Sequence, residues 1–313
     1  MAVPTSVPTS VPTSATTPAT TPAPAGTGEP PLPTGGLPLG PDSLTWQLFG
    51  DVRMALLGPR AAVLQNMLPA LGQGVEEHSV WFAETIARLQ RSIPPIYGTL
   101  YGPDELETGR RVRDFHRPIK GRMPDGRPYS ALNPDTYYWA HACFVEHLIV
   151  ATETFIRPLT TAQKDRLVGE SVTWYHRYGV AEPRLDGRGI PRTWADFRRY
   201  FDHVLDHELV RHRTAAYGMG YTVKGWPRPR RVNRVLWAVV RRPLNAVSSS
   251  LSIGGMPPRG RELLGLPWDA ARERRHRRFA RLVRGLAPAI DRLPRRWRMH
   301  AIPAAAFARE EGR

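Results

Sequence analysis

Two clusters of side chains carry the chemistry this sequence can offer. In the stretch YYWAHACFVEHL, Tyr137 and Tyr138 precede His141 by about one helical turn, Phe144 and Val145 follow by one, and Leu148 follows by two. That phase puts His141 in an apolar, aromatic stripe facing a core. A buried imidazole needs a partner, which is either a neighbouring carbonyl or a metal or haem iron on the second ring nitrogen. The other cluster is basic: Arg113, His116 and Lys120 fall at three- and four-residue steps beside Val112. Such a strip can bind propionates or polarise a bound oxygen species, and it can equally be a solvated flank.

Other ligand sets fail on residue count. No GxxxxGK[ST], GxSxG or HExxH occurs, nor a GxGxxG behind a strand, which disfavours P-loop, hydrolase-elbow, zincin and dinucleotide chemistry. A carboxylate-bridged di-iron bundle needs two Glu-x-x-His pairs, and only Glu273 with His276 matches. His203 and His207 lie one turn apart, but Asp202, Asp206 and Glu208 beside them favour a solvated polar face. The remaining histidines have no partner at diagnostic spacing.

The elements that must position these residues are helical. Asp42 and Ser43 cap a stretch carrying Trp46, Phe49, Val52 and Leu56, which runs over 44–67 with a break at Pro59. Further helices are predicted over 75–89, ended by Pro94-Pro95, and over 104–121. Asn133-Pro134-Asp135 supplies cap, first-turn proline and first-turn acid for a helix to 157. Thr160 with Gln163 forms a capping box for a helix to 179, and Thr193 caps one to 213. Weaker patterns suggest helices at 230–241 and 268–287, with a Ser/Gly/Pro loop between them, and no stretch alternates with the period of a strand. The fold class is therefore all-α: a single helical domain over 41–313 behind a low-complexity tail.

That tail is compositional. VPTS repeats three times over residues 3–14, nine prolines fall in the first 36 residues, and Glu29 is the only charge before Asp42. Such a tract has too little apolar surface to offset ordering entropy, so residues 1–40 read as disordered. The start also lacks the basic and apolar regions of a secretory signal, no run of about 18 apolar residues exists to form a transmembrane segment, and the single Cys143 fits a reducing compartment. A cytoplasmic protein is the expectation. The net charge of +16 is not spread evenly: Met1 to Val223 carries 22 basic and 22 acidic residues, and Lys224 to Arg313 carries 22 and 6. Three lysines against a wealth of arginines partly reflects a GC-rich coding bias.

In order and spacing, GVEEHS at 74–79, RVRDFHRPIKG at 111–121, Tyr-x-Ala-x-x-Pro-Asp at 129–135 and YWAHACFVE at 138–146 resemble one known family. So do WYHRYGV at 174–180 and PPRGRELLGLPW at 257–268. It is the family of rubber oxygenases (latex-clearing proteins) and mycophenolic-acid-pathway oxygenases, and the resemblance spans roughly 41–307. It implies a globin-like helical core, haem b, and cleavage of carbon–carbon double bonds of isoprenoid chains by dioxygen. The family's proximal haem ligand matches His141, with its other nitrogen expected on a backbone carbonyl one turn earlier. The distal basic helix matches the segment of Arg113, His116 and Lys120, with Lys120 at a propionate or in solvent. Where many relatives read His-Pro, this chain has Leu68-Pro69, and the absence of an export signal argues against polymeric rubber as substrate.

The expectation is thus a haem oxygenase taking a small apolar unsaturated substrate and dioxygen, without specific nucleic-acid binding. The alternative is a non-catalytic helical protein docking on nucleic acid or an anionic membrane through Arg272, Arg274, Arg275, Arg277, Arg278, Arg281 and Arg284. Against it, Phe279, Leu282, Val283 and Leu286 recur at three- and four-residue steps, as in a helix laid on its own core. Peripheral membrane contact stays open. Deleting residues 1–36 should leave the melting temperature within about 5 °C, roughly 1 to 2 kcal/mol. A larger fall in a thermal melt would show that the tail contributes to the core.

Overall fold

The computed structural model describes residues 35–224, 228 and 232–312. Most of the expected tail, residues 1–34, lies outside that set. Six helical elements open the chain: α1 (Leu44–Phe49), a 3-10 turn (Val52–Leu57), α2 (Arg60–Met67), α3 (Pro69–His78), α4 (Thr85–Tyr101) and α5 (Glu105–His116). A hairpin of β1 (Lys120–Arg122) and β2 (Pro128–Ser130) follows, with Gly121 opposite Tyr129. The middle is built by α6 (Pro134–Phe155), α7 (Thr161–His176), α8 (Trp194–His207), α9 (Arg213–Lys224) and α10 (Arg234–Gly255). The chain closes with α11 (Pro258–Leu263), α12 (Ala270–Gly285), α13 (Ala287–Asp291), α14 (Arg295–Arg298) and α15 (Ala301–Glu311). The all-α class holds.

The local signals for helix starts act as expected. Ser43 accepts from Trp46 N–H, Asn133 from Asp135 and Thr136 N–H, and Thr193 from Asp196 N–H, while Thr160 and Gln163 form the reciprocal capping box. The helix they matter for most is α6, which is buried on nearly every face, from Tyr137 and Trp139 to Ile149 and Phe155. Its only strong charge among those buried residues is Glu146. Arg60 of α2 meets Glu146 through both guanidinium Nη atoms, Nη2 to Oε1 at 2.7 Å, and donates its Nε–H to the Gly255 carbonyl. Both side chains are almost fully buried.

Where helices stop or continue, tertiary contacts override the local pattern. The helix predicted over 75–89 is interrupted at 79–84, because Trp81 turns inward, fully buried, and donates its indole N–H to Thr214 O of α9. Pro94 and Pro95 lie inside α4 rather than ending it. The carbonyls they leave without helical donors, on Gln90 and Arg91, belong to exposed residues that water can serve. The helix predicted to 213 ends at His207, since the chain there leaves to bond Val210 N–H to Met67 O. The predicted Ser/Gly/Pro loop is instead the second half of α10, where Ser250, Leu251, Ser252 and Ile253 are buried. A Cβ on Gly254 would collide with the His276 ring, so the small residues permit close packing of α12.

The helix predicted over 104–121 ends at His116, because Pro118 cannot donate to continue it. Lys120 therefore lies exposed on β1 and leaves the strip expected with Arg113 and His116. The hairpin itself was missed. Its signal is Pro124-Asp125-Gly126, with Gly126 at φ 87°, a turn requirement rather than a period of two. Residues 35–40 lie along α7, where Leu37 N–H donates to Gly169 O and Thr173 Oγ1 donates to Leu37 O.

On α12, Phe279 and Val283 pack on the core while Arg274, Arg275, Arg277, Arg278 and Arg281 face solvent, and Leu282 and Leu286 are more than half exposed. Replacing Arg60 with Met should cost about 3 to 5 kcal/mol in urea unfolding, because Glu146 loses its buried counter-charge. The double change Arg60→Met/Glu146→Leu should recover most of that loss. Unchanged stability in the single variant would contradict the clamp.

Candidate active site

His141 projects from the middle of α6 against α7. Its ring is 2% exposed and enclosed by Trp174 (centroids 4.9 Å), Tyr175 (5.5 Å), Tyr138 (6.0 Å) and Tyr178 (6.1 Å). Nε2 lies 3.0 Å from the carbonyl of Ser171. A carbonyl can only accept, so Nε2 carries the hydrogen and Nδ1 carries the lone pair. Nδ1 is buried without a partner. The expected carbonyl one turn earlier on the same helix is thus corrected, because the partner comes from α7, whose Ser171 is 30 residues away in sequence. Desolvation lowers the His141 pKa to about 3, against a small opposing effect of the Ser171 carbonyl. The ring is neutral at any physiological pH.

His147 is a useful contrast on the same helix. It too bonds a carbonyl through Nε2, that of Met54, and leaves Nδ1 unpartnered; burial lowers its pKa to about 4. An unpartnered buried nitrogen is therefore not unique to His141. The setting differs, because a layer of tyrosines links His141, but not His147, to the basic helix α5.

That layer starts at His116. Its Nδ1–H donates to Val112 O at 2.7 Å, which leaves Nε2 as the acceptor nitrogen. Burial lowers the His116 pKa, the Val112 carbonyl opposes this, and the charge of Arg88 lowers it further. The ring meets Tyr137 edge-on at 5.6 Å; Tyr137 meets Tyr178 at 5.4 Å and Tyr175 at 6.2 Å, and both of those reach His141. His116 and His141 are thus brought to opposite sides of one tyrosine layer. Desolvation raises the pKa of Tyr137, Tyr138, Tyr175 and Tyr178, so all four stay protonated. The Tyr138 hydroxyl is buried without a partner.

Arg113 lies near enough to Tyr137 to lower its pKa, and binds Gly179 O and Asp114. Arg177 is a residue the sequence reading passed over. Buried at the end of α7, it donates to Thr99 O and Leu100 O and pairs with Glu105. The one-turn spacing of Trp174, Tyr175 and Tyr178 in WYHRYGV was its available signal. Lys120 is not part of this assembly, and His203 and His207 are both exposed, as a solvated face requires.

A cleft of about 1550 Å³ opens between the hairpin, the start of α6 and α8. Trp139 and Tyr200 form part of its wall, and the Tyr200 ring is 5.2 Å from Tyr138. One tyrosine separates the wall from His141.

Among the described residues, no group of three or more His, Cys, Asp or Glu side chains is placed to hold a bare metal ion. A prosthetic group that needs a single protein donor is a different case. A neutral imidazole with an open lone pair, its other nitrogen fixed by a carbonyl, has the donor chemistry that haem iron would take from a protein side chain. His141 fits that role.

A family model described as ER-bound oxygenase mpaB/B'/Rubber oxygenase, catalytic domain, matches residues 46–285. The chain belongs to this family and is thereby an enzyme of the oxygenase class. The match runs from α1 to the end of α12 and contains both histidines and the tyrosine layer. No curated protein and no solved structure matches.

Because the folded pKa of His141 lies below its unfolded value of 6.5, the unfolded chain takes up a proton first on acidification. Its contribution to stability is complete above about pH 6.5 and is lost as pH falls toward 3. In denaturant unfolding between pH 6 and 4, His141→Gln should flatten the pH slope by up to about 1.4 kcal/mol per pH unit relative to wild type. Parallel slopes would mean that His141 accepts a proton without cost in the folded protein.

Proposed function

We propose that the protein is a haem b-dependent oxygenase, with His141 as the iron's protein ligand, acting on an apolar unsaturated small molecule of the prenyl type. The observation that carries this reading is the pairing of a neutral, singly bonded His141 with His116 across an apolar tyrosine layer, inside the span matched by an oxygenase family. When bound, haem supplies the redox chemistry by which dioxygen is added at a carbon–carbon double bond. The protein's own part is positioning. Ser171 holds the His141 ring in the tautomer that leaves Nδ1 free, and Trp174, Tyr175 and Tyr178 keep water from it. Arg113, with a fixed positive charge, would stabilise developing negative charge on oxygen, and His116, with Nε2 as acceptor, would orient or take up a proton beside it; these two are the catalytic pair.

Lys120, exposed on β1, is left in solvent by this reading. The aromatic part of the cleft wall, Trp139 and Tyr200, is the route for an apolar substrate in this reading, since Tyr200 meets Tyr138 and Tyr138 meets His141, while Arg127, Asp135, Arg184 and Arg199 line the rest. The buried free thiol of Cys143 suits a reducing compartment, and we assign the protein to the cytoplasm. Among the described residues no helix is long and apolar enough to cross a membrane.

Protein purified after expression with excess haem should show a Soret band that His141→Ala abolishes and His147→Ala retains, with helical circular dichroism preserved in both. A colourless wild type, or equal spectra in both variants, would remove His141 as ligand. In haem-loaded protein, His116→Ala and Arg113→Ala should each slow oxygen uptake with a prenyl substrate about 10- to 1,000-fold, the loss expected for one preorganised proton acceptor or charge. Wild-type rates would exclude the pair.

A further inference from the structure

Helix α10 is anchored at its C-terminal end. Its C-terminal half is built into the core: Ser250 to Ile253 are buried, His276 Nδ1 bonds Ser250 O at 3.1 Å, and Arg60 caps the Gly255 carbonyl. The N-terminal half, residues 234–246, runs about 20 Å beyond that anchor at 1.5 Å per residue. There Val235 is 73% exposed, Val239 69%, Leu236 56% and Leu244 49%. Single exposed apolar side chains are ordinary, but Val235, Leu236 and Val239 stand at i, i+1 and i+4 and form one continuous face. Arg234 and Arg241 lie on the opposite side of the helix and Arg242, seven residues after Val235, flanks the apolar face, all exposed.

Charge decides what this face can meet. From Leu209 to Arg261 the sequence holds eleven Lys and Arg and no Asp or Glu. An acidic protein surface could satisfy the arginines but would leave the valines and leucine without burial unless it carried a matching apolar groove. A nucleic acid would satisfy the arginines and offer nothing to the apolar face. An anionic bilayer satisfies both, because the headgroups take the guanidinium groups and the acyl boundary takes the apolar side chains.

We propose that the N-terminal half of α10 is a monotopic membrane-docking helix that lies in the interface of a bilayer containing anionic phospholipid, with Val235, Leu236 and Val239 inserted and Arg234, Arg241 and Arg242 at headgroup level. The helix does not span the bilayer. It inserts to the depth of one face, and the anchored C-terminal half holds the rest of the domain against the surface. This is independent of haem and of the reaction proposed above.

Co-flotation of the full chain with phosphatidylcholine vesicles, with and without phosphatidylserine, tests it. Binding should require phosphatidylserine, weaken as salt rises, and fall at least about tenfold both in Leu236→Asp/Val239→Asp and in Arg241→Gln/Arg242→Gln. Both pairs are exposed, so circular dichroism and melting temperature should match wild type, which separates lost docking from lost folding. Failure to bind anionic vesicles at low salt would overturn the proposal, as would undiminished binding by Leu236→Asp/Val239→Asp. Tighter retention on duplex RNA than on the vesicles, insensitive to the Asp substitutions, would overturn it in favour of nucleic acid.

Discussion

The buried carboxylate of Glu146 is the point on which the middle of this fold depends. It sits on α6, a helix so enclosed that an uncompensated charge there would cost several kcal/mol. Arg60 on α2 answers it with a bidentate pair, and Arg198 on α8 approaches to 3.9 Å. Because Arg60 also donates to Gly255 O, a single guanidinium fixes α2, α6 and the end of α10 relative to one another. Such a pair contributes little net stability against well-packed apolar residues. Its effect lies in geometry, since only one register of these helices satisfies all the hydrogen bonds.

A second buried carboxylate sets the neighbouring register. Glu170 of α7, fully buried, accepts from the N–H groups of Leu44 and Thr45, from the Thr45 hydroxyl and from Arg166 Nε. It thereby ties the positive N-terminal end of α1 to α7. The next residue is Ser171, whose carbonyl holds His141. Glu146 fixes α6 and Glu170 fixes α7, so between them they determine where His141 Nε2 meets its acceptor. The site is specified by two buried, paired carboxylates that take no part in its chemistry.

This dependence explains what could be read from the sequence. Helix starts at Ser43, Asn133, Thr160 and Thr193 were legible because a cap is a bond within three residues. The burial of His141 was legible because phase along α6 is also local. The carbonyl that partners it was not, since Ser171 is placed by packing between helices. The same holds for the breaks at 79–84 and 208–212, which exist because Trp81 reaches Thr214 and Val210 reaches Met67. Lys120 leaves the helix for a nearer cause, because Pro118 lacks the N–H that would continue α5. The family resemblance reached further than periodicity because a motif such as WYHRYGV preserves residues whose partners are remote.

The enclosure of His141 has an electrostatic side as well. Burial raises the pKa of four tyrosines and lowers that of His116 and His141, so every titratable group in the layer is held in its neutral form. In a low-dielectric interior, a fixed charge at the edge then acts with little competition. Arg113, itself paired with Asp114, is close enough to Tyr137 to shift it, while the large excess of arginine in the chain faces water on α12 and the first half of α10. The same residue type thus has opposite tasks in two places. At the tyrosine layer Arg113 and the buried Arg177 are set beside neutral rings, and on the outer helices many arginines are spread where solvent weakens each and only their sum can attract a surface.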